Sequence, residues 1–384
     1  MQIVQTVTGT YHHFDLAHEL HRHGHLKRVY STYPWQRLKR EGLPRDLVST
    51  FPWLHAPILL AAQRGLLSGR FAANLDYANL ELFDRWVAAR LPECDAVLAL
   101  SGSGLHTGKA VQARGGRYLC DRGSSHIRYQ DQILTEEYRR YGVDRPACDP
   151  RFMRREEAEY AQADAITIPS EFCRRTFLEM GVPAAKLYKA SYGVRLDRFW
   201  PEGQPSQDEF RILFAGQVSF RKGIPYLLEA FRLFPHPRKR LVIAGAVLGE
   251  IKPWLAAQDL SNVTFTGPLP QADLRRQMST SHVMVLPSIE EGLALVQGQA
   301  LACGCPLISS LHTGGDDLFT HGVEGFLVPI RSAQAIAERL QQLADDPDLR
   351  AQMSAEGLKR VQKMGGVSDY GDRILEIART IIKG

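Results

Sequence analysis

Short apolar segments alternate with amphipathic helical patterns along most of the chain, and this alternation restricts the fold more than any other feature. Segments such as Val283–Leu286 are too short for helices and rich in aliphatic residues, which is typical of buried strands. Strands separated by helices pair in parallel, because each helix carries the chain back to the edge where the next strand starts. The sequence therefore predicts an α/β protein built on parallel sheets.

The predicted elements form two sets. In the first half the predicted strands are 3–7, 27–31, 96–100, 117–120, 165–168 and 187–190, with helices near 13–23, 104–114, 151–163 and 171–180. In the second half the predicted strands are 211–215, 241–244, 263–266, 283–286, 306–309 and 325–328, with helices near 224–234, 251–258, 271–279, 294–303 and 332–345. The second set is a complete doubly wound sheet of the Rossmann type.

A length of 384 residues exceeds that of one ordinary domain, so we expect two. The segment 201–208 is polar and contains proline and glycine, which favours a linker. We predict a first Rossmann-like domain over residues 1–200 and a second over 201–366. Gly365 and Gly366 interrupt the helical pattern of the tail, so we predict that 367–384 is a helix returning to the first domain.

Composition and charge exclude several classes of protein. Hydrophobic residues make up 44% of the chain, yet no apolar run approaches the roughly 20 residues that span a bilayer. The N-terminus lacks the pattern of a signal peptide, so we expect a cytoplasmic protein. The net charge of +5 fits nucleotides or an anionic membrane surface and does not argue for nucleic acid. The six cysteines are scattered and are expected to be reduced thiols, with no metal site.

The stretch 286–306 carries the clearest functional pattern. After the strand that ends at Leu286, a loop holds Glu290 and Glu291, and a helix begins near residue 294. The free N–H groups at the start of a helix bind phosphate. Gln299 lies further along the same helix. The arrangement suits a sugar near the carboxylates, a phosphate at the helix start and a ribose near Gln299.

Two further loops follow strands of the second half. The loop 216–223 places Arg221 and Lys222 just before a helix that Pro225 opens, which favours a diphosphate ligand. A solvated pair of surface cations is the alternative. The loop 313–317 contains Gly314 and Gly315, which permit a close approach of the backbone to a ligand. A plain strand-to-helix turn is the alternative there.

The first half offers a second group of polar residues at strand ends. Asp121, Arg122 and His126 follow the strand that ends at residue 120. His12 and His13 follow the first strand. Because these strand ends belong to one edge of the sheet, we expect the residues to face a cleft between the domains, with a structural role as the alternative.

Three other patterns support weaker hypotheses. The glycines of 101–108 suggest a dinucleotide site, but their spacing is imperfect, so a tight turn is expected. His21 and His25 share a helix face, and we expect surface residues rather than metal ligands. Residues 35–90 place basic side chains near tryptophans in the sequence. This segment is either an irregular excursion with ordinary packing or an element that faces the acceptor or a membrane surface.

Taken together, these residues resemble the retaining glycosyltransferases of family 4 (glycosyl transferases group 1), which have the GT-B fold of two Rossmann-like domains facing each other across a cleft. The resemblance is best from about residue 156 to residue 330. The family landmarks occur in family order: ADAITIPS at 163–170, YGVRLDRFWP at 192–201, RKG at 221–223, the stretch 286–306, and EGFLVP at 324–329. The first 150 residues match only in outline, as expected for an acceptor-binding domain.

The resemblance implies that the second domain binds a nucleotide-diphosphate sugar, UDP- or GDP-linked, as the donor. Lys222 with Arg221 would neutralise the diphosphate, and Glu291 would bind hydroxyls of the sugar. On the first domain, His126 would touch the donor sugar. Apart from the resemblance, we expect Asp121, as a carboxylate in the cleft, to orient the acceptor hydroxyl. The other implied donor-binding residues are Gly216, Gln217, Gly267, Pro268, Leu269, Ala294, Leu295, Val296, Gln299, Gly314 and Gly315.

Two positions depart from the family pattern. Gln299 stands where the family usually has glutamate, so its hydrogen bond to a ribose lacks the assistance of charge. Gln217 stands where the family often has arginine, and Arg221 is expected to substitute. These departures leave the donor open and keep an inactive relative as an alternative.

We therefore expect a retaining, metal-independent glycosyltransferase that moves a sugar to a saccharide or lipid-linked acceptor in envelope or exopolysaccharide biosynthesis. Front-face attack by the acceptor is expected, because no nucleophile is evident. We also expect peripheral contact with the cytoplasmic face of the inner membrane. The alternatives are a non-catalytic nucleotide-sugar-binding protein and another enzyme of this fold, such as a sugar-nucleotide epimerase.

Overall fold

The computed structural model describes residues 1–10, 12–63, 69–193 and 197–383. The remaining residues include Tyr11, beside the histidine pair, and 194–196 of the 192–201 landmark, so these parts of the sequence patterns lie outside the described residues. The described residues contain two parallel sheets flanked by helices, which confirms the predicted α/β class.

The first sheet is built from seven parallel strands. They are β1 (Ile3–Val7), β2 (Leu26–Ser31), β3 (Val48–Thr50), β4 (Ala96–Leu100), β5 (Arg117–Asp121), β6 (Ala165–Ile168) and β7 (Leu187–Lys189). Their spatial order is β3-β2-β1-β4-β5-β6-β7. The order changes direction between β1 and β4, and the carboxyl ends of the strands beside such a point form a crevice where ligands bind.

The helices of the first half are α1 (His13–Arg22), α2 (Trp35–Leu38), α3 (His55–Gln63), α4 (Gly69–Ala89), α5 (Leu105–Gln112), α6 (Ile127–Arg140), α7 (Pro150–Gln162) and α8 (Glu171–Glu179). Side chains cap three of them: His126 accepts from the Arg128 N–H at α6, Asp149 from the Arg151 N–H at α7, and Ser170 from the Cys173 N–H at α8. The sequence prediction missed α2, α3, α4, α6 and the three-residue edge strand β3.

The second sheet has six parallel strands, and its elements follow the predicted order closely. The strands are β8 (Phe210–Ala215), β9 (Lys239–Ala244), β10 (Val263–Gly267), β11 (Val283–Leu286), β12 (Leu307–Ser310) and β13 (Gly325–Val328), in the spatial order β10-β9-β8-β11-β12-β13. The helices are α9 (Ile224–Leu233), α10 (Lys252–Leu255), α11 (Gln271–Ser279), α12 (Leu295–Ala302), α13 (Gly315–Leu318), α14 (Ala333–Asp345), α15 (Pro347–Lys363) and α16 (Val367–Lys383).

Helix α6 of the first half packs against the second half. Leu134 and Tyr138 belong to the apolar core around β8 and α9, and Tyr141 stacks on Phe220 with ring centroids 4.7 Å apart. Arg331 donates a hydrogen bond of 2.7 Å to the buried carboxylate of Glu137 on α6. The two halves are therefore held together by apolar packing as well as by polar contacts.

The last helix, α16, packs on α1 of the first half. Its apolar face, including Tyr370 and Ile374, joins the core around β1 and α1. Gly371 allows the closest approach, since a Cβ there would lie 2.6 Å from the Cβ of Glu19. This packing confirms the predicted return of the C-terminal helix, whereas the domain limits at 200 and 366 stay predictions.

The close approach at Gly371 predicts a stability effect. We expect Gly371→Val to lower the free energy of unfolding by about 1–3 kcal/mol, because the added carbons must push α16 away from α1. Urea unfolding followed by circular dichroism measures this change. Gly366→Val is the matched control, because a Cβ at Gly366 meets no atom within 4 Å. Equal stability of the two variants would contradict the close packing.

Candidate active site

Loops of the second domain meet at the carboxyl edge of its sheet. The loop after β8 and the loop after β11 are joined by a hydrogen bond of 2.8 Å from the Ile289 N–H to the Arg221 carbonyl. The loop after β11 is joined to the loop after β12 by a 2.9 Å bond from the Glu291 N–H to the His312 carbonyl. Because parallel strands end at one edge, residues that are distant in sequence meet here.

Lys222 and Glu291 form an ion pair between two of these loops. The sequence predicted Lys222 for the diphosphate and Glu291 for the sugar, and the structure brings their charged ends together. Both side chains are only partly buried, at 17% and 12% exposed. Gly223, which follows Lys222, has a φ of +69° and lies so close to Pro287 that a Cβ would be 2.0 Å from the Pro287 carbonyl oxygen. This glycine therefore fixes the position of the loop.

Glu290, next to Glu291, is fully buried where the two domains meet. Its carboxylate accepts hydrogen bonds from the hydroxyls of Ser124 and Ser125, at 2.7 and 2.6 Å, and from the Gln130 amide at 2.8 Å. The guanidinium of Arg221 lies 2.9 Å away. Burial alone would raise the pKa of Glu290, but Arg221 and these donors lower it to about 2, so the group is ionised at neutral pH.

Arg221 is engaged within the protein rather than extended toward open space. Besides the Glu290 carboxylate, it contacts the Glu290 carbonyl at 3.1 Å and the Ser124 hydroxyl at 3.3 Å. Burial opposes the charge of Arg221, while Glu290 and Glu291 raise its pKa above the ordinary value. Its predicted contact with a diphosphate stays a prediction.

The start of helix α12 has no side-chain cap. The N–H of Ala294 donates to the Thr313 carbonyl at 3.1 Å, so this amide is already used, contrary to its predicted contact with phosphate. Leu295 and Val296, both half-buried, form the first turn. The half-buried Gln299 lies on the same helix, whereas its neighbour Gln297 is buried and bonded to Thr313. The N–H groups expected to bind a phosphate at this helix start are thus those of Leu295 and Val296.

The remaining predicted donor residues lie where β8 and β10 end. Gly216 follows β8 beside the Lys222 side chain, and Gln217 is exposed. Gly267 ends β10 with a φ of +70°, and Pro268 and Leu269 continue its turn. These placements at the carboxyl edge are compatible with the predicted donor contacts, which stay predictions.

Gly314 and Gly315 serve close packing within the protein. Gly314 has a φ of +68°, and a Cβ there would lie 2.8 Å from the Gly292 carbonyl oxygen and 3.0 Å from the Ser170 side chain. A Cβ on Gly315 would meet Gln297 and Phe319 at 2.9 Å. The sequence suggested that the backbone here is open to a ligand. Protein atoms instead occupy the space on the Cβ side of both glycines.

Asp121 lies at the end of β5 and is held by the histidine pair. Its carboxylate is 2.8 Å from Nε2 of His12 and 3.1 Å from Nε2 of His13, and it accepts a 2.6 Å hydrogen bond from Thr167. Burial alone would raise the pKa of Asp121, but the two imidazoles lower it well below the ordinary value. Burial lowers the pKa of His13. The predicted contact of Asp121 with an acceptor hydroxyl stays a prediction.

His126 and Arg122 hold the loop that follows β5. The His126 side chain is the N-cap of α6, accepts from the Arg128 N–H at 3.2 Å and is only 3% exposed. Burial lowers its pKa to about 4. Arg122 donates to Glu156 at 2.8 Å and to the Gln130 amide oxygen at 2.9 Å. Both side chains support the loop, and the predicted contact of His126 with the donor sugar stays a prediction.

The network around Glu290 was missed in the sequence. Ser124, Ser125 and Gln130 lie close to predicted site residues, and the position of the two serines just after a strand was the available signal. Nothing local, however, distinguishes Glu290, which turns inward to these donors, from Glu291, which pairs with Lys222. The distinction depends on the partner domain.

Comparison with known proteins finds a family match within the second half of the chain. Residues 198–360 match the family described as glycosyl transferases group 1. The amylovoran biosynthesis glycosyltransferase AmsK of Erwinia amylovora is 27% identical over 197 residues, covering 48% of each chain. A D-inositol 3-phosphate glycosyltransferase of Catenulispora acidiphila is 29% identical over 226 residues, covering 53% of this chain and 54% of the relative. The chain thus spans about half the length of the curated relatives it matches.

Solved structures share the whole fold. Sucrose-phosphate synthase of Thermosynechococcus elongatus superposes with a TM-score of 0.74 at 20% identity, covering 100% of both chains. Anabaena HepE in complex with UDP and glucose superposes with a TM-score of 0.73 at 16% identity, covering 99% of this chain and 100% of HepE. At such identities the likeness concerns the fold, and it confirms the predicted GT-B arrangement. Among the described residues, no helix combines the length and apolar character required to cross a bilayer.

Glu290 predicts a specific sensitivity to acid. Its pKa of about 2 lies below the ordinary value of 4.5, so its ionised form stabilises the fold above pH 4.5, and this contribution is lost as the pH falls toward 2. We expect Glu290→Gln to lower the free energy of unfolding by about 3 kcal/mol near neutral pH and by progressively less in acid. Urea unfolding across this range measures the difference.

The control for this prediction is Glu338→Gln, which removes an exposed carboxylate from α14. It is expected to change stability little at any pH. A difference between wild type and Glu290→Gln that stays constant from neutral to acid pH would show that the charge of Glu290 does not stabilise the interface.

Proposed function

We propose, from the premise that residues 198–360 form a domain of the glycosyl transferases group 1, that the protein transfers a sugar from a nucleotide-diphosphate sugar to a saccharide or lipid-linked acceptor. The observation that carries the proposal is the Lys222–Glu291 ion pair at the sheet edge that also carries the uncapped start of α12. A cation, a carboxylate and free helix N–H groups suit the parts of a nucleotide sugar.

Each part of the donor has a partner in this proposal. The Lys222 ammonium binds the diphosphate together with the N–H groups of Leu295 and Val296. The Glu291 carboxylate accepts hydrogen bonds from sugar hydroxyls, and Gln299 bonds a ribose hydroxyl. The turn at Gly267 lines the base. The diphosphate thus takes the place of Glu291 at Lys222, which frees the carboxylate to accept hydrogen bonds from the sugar hydroxyls.

The transfer is proposed to be metal-independent and retaining. Lys222 and the dipole of α12 supply the positive potential that stabilises the departing diphosphate. The Asp-x-Asp sequence at 346–348, a pattern that suits a metal–diphosphate clamp, instead starts helix α15, where Asp346 accepts from the Leu349 N–H at 2.8 Å. Front-face attack by the acceptor hydroxyl retains the anomeric configuration without a protein nucleophile. The contacts of Glu290 between the domains help to keep water from the site.

The nucleotide and the acceptor are proposed by class. UDP is favoured over GDP, because HepE has been solved with UDP. A saccharide or lipid-linked acceptor in envelope or exopolysaccharide assembly follows from relatives such as AmsK, which is named for amylovoran biosynthesis. Action at the cytoplasmic face of a membrane is proposed on two exposed aromatic side chains, Trp53 at 73% and Phe71 at 63%, in the segment that also carries the basic residues of 35–40.

A second candidate is a protein that binds a nucleotide sugar without turnover. Gln299 and Gln217 favour it, because both replace charged residues of the family pattern. A panel of UDP- and GDP-sugars separates the two functions by thermal shift and by slow hydrolysis of the donor. Binding with no turnover in the presence of saccharide and lipid-linked acceptors would reject the transferase and support the second candidate.

Lys222→Ala tests the diphosphate contact. We expect kcat/KM for transfer or donor hydrolysis to fall about 100- to 1000-fold, because one preorganised cation is lost from the transition state. The melting temperature should change little, since the side chain is partly exposed. Lys252→Ala, which removes an exposed lysine of the same domain, is the control. Full activity of Lys222→Ala would exclude Lys222 from the site.

Gln299→Glu tests the ribose contact. A carboxylate accepts a stronger hydrogen bond than an amide, so we expect KM for the preferred donor to fall about five- to ten-fold with little change in kcat. The control is Gln352→Glu, which makes the same change of charge at an exposed position of α15. An unchanged KM, or the same change in the control, would show that Gln299 does not contact the donor.

A further inference from the structure

The geometry points to a divalent metal site, of the kind that binds Zn²⁺, formed by His12, His13 and Asp121 on the first domain. The three residues come from the start of α1 and the end of β5, at the carboxyl edge of the first sheet. Among the described residues, these three form a group of possible metal ligands in which each residue offers one ligand atom, and these atoms all lie within 4.8 Å of one another. Two imidazoles and a carboxylate are a typical set of zinc ligands.

The spacing of the ligand atoms suits one ion. Nε2 of His12 and Nε2 of His13 lie 2.8 and 3.1 Å from the same oxygen, Oδ2 of Asp121. Ligands at about 2.0–2.1 Å from a tetrahedral zinc are separated by about 3.3 Å. Both histidine-to-carboxylate separations are slightly shorter, and the ligand atoms of the two histidines lie within 4.8 Å of each other, so an ion would require movements of the side chains. Three protein ligands leave a fourth position for water.

His13 provides an independent reason to expect a ligand. Its side chain is fully buried, yet neither ring nitrogen has a hydrogen-bond partner. Nε2 is close to Asp121 but lacks the alignment of a hydrogen bond. Buried polar atoms without partners are rare, because they lose their bonds to water. A metal ion between Nε2 and Oδ2 would satisfy the nitrogen without requiring that alignment.

The surroundings hold the ligands in place. The second oxygen of Asp121 accepts a 2.6 Å hydrogen bond from the Thr167 hydroxyl, which fixes the carboxylate as outer-sphere partners do in metal sites. Tyr192 stacks on the His12 ring at 4.0 Å, and Tyr370 of α16 approaches its edge at 5.8 Å. His12 is 13% exposed, which gives an ion a path to the site.

The site is distinct from the diphosphate contacts of the proposed function. It belongs to the first domain, and Lys222 and Glu291 belong to the second. The two regions adjoin at Gly123, whose carbonyl oxygen would be 1.9 Å from a Cβ on Gly292. The ion would tie α1 to β5 next to this contact. It would also support the surface on which α16 packs, through His12 and Tyr370.

Metal binding can be tested without an activity assay. The full-length protein is treated with EDTA, dialysed, and titrated with Zn²⁺ by calorimetry, with the bound metal counted by mass spectrometry. Co²⁺ serves as a spectroscopic probe, because a low-coordinate Co²⁺ site absorbs in the visible range. We expect one equivalent of metal, and an affinity at least ten-fold weaker in His12→Gln and Asp121→Asn. We expect about ten-fold weaker binding in Thr167→Val.

Surface histidines supply the matched control. His21→Gln and His23→Gln change exposed residues at the end of the same helix, and metal binding should be unaffected. Circular dichroism checks folding, and His12→Gln alone decides the result if Asp121→Asn does not fold. Absence of bound metal, or metal lost in the surface variants and kept in His12→Gln, would overturn the proposal and leave a hydrogen-bonded cluster only. These outcomes are independent of Lys222→Ala, which tests the transferase.

Discussion

A buried carboxylate fixes how the two domains contact each other. Glu290 belongs to the second domain, yet two serines and a glutamine of the first donate to it, and Arg221 supplies the opposite charge. An ionised group in such a place is stable only when its partners are present together. The loops after β5, β8 and β11 must therefore assemble as one unit. The Lys222–Glu291 pair lies one residue further along the same two loops. The positions of its charged groups therefore depend on that assembly.

The fold was predictable where local patterns and burial agree. The strands of the second half lie within a few residues of their predicted positions, because buried parallel strands read as short aliphatic runs between helices. Helix α6 was missed although its apolar residues, such as Leu134 and Tyr138, recur at helical spacing; the face they form packs against the other domain. Strand β3 is a three-residue edge strand, too short for a periodic signal.

The site was predictable in position and less so in detail. Parallel strands bring their carboxyl ends together, so Lys222 and Glu291 were expected at one donor site, but their direct ion pair was not predicted. Sequence cannot show which of two adjacent glutamates turns inward, because the partners of Glu290 lie about 165 residues earlier in the chain. The same limit applies to Ala294, whose amide is taken by Thr313. For Glu290 and Ala294 a tertiary partner decided between two roles that the local sequence permits, whereas His126 caps its own helix through the nearby Arg128 N–H.

The packing of α16 on α1 has a consequence for synthesis of the protein. The first sheet is finished by residue 189, but α16, which packs on α1, begins only at Val367. During translation the second domain can therefore close around its own core before the first has all of its parts. Until α16 has left the ribosome, the apolar face of α1 that it covers stays open to water or to a chaperone. The second domain would then finish folding before the first, although the first is translated earlier.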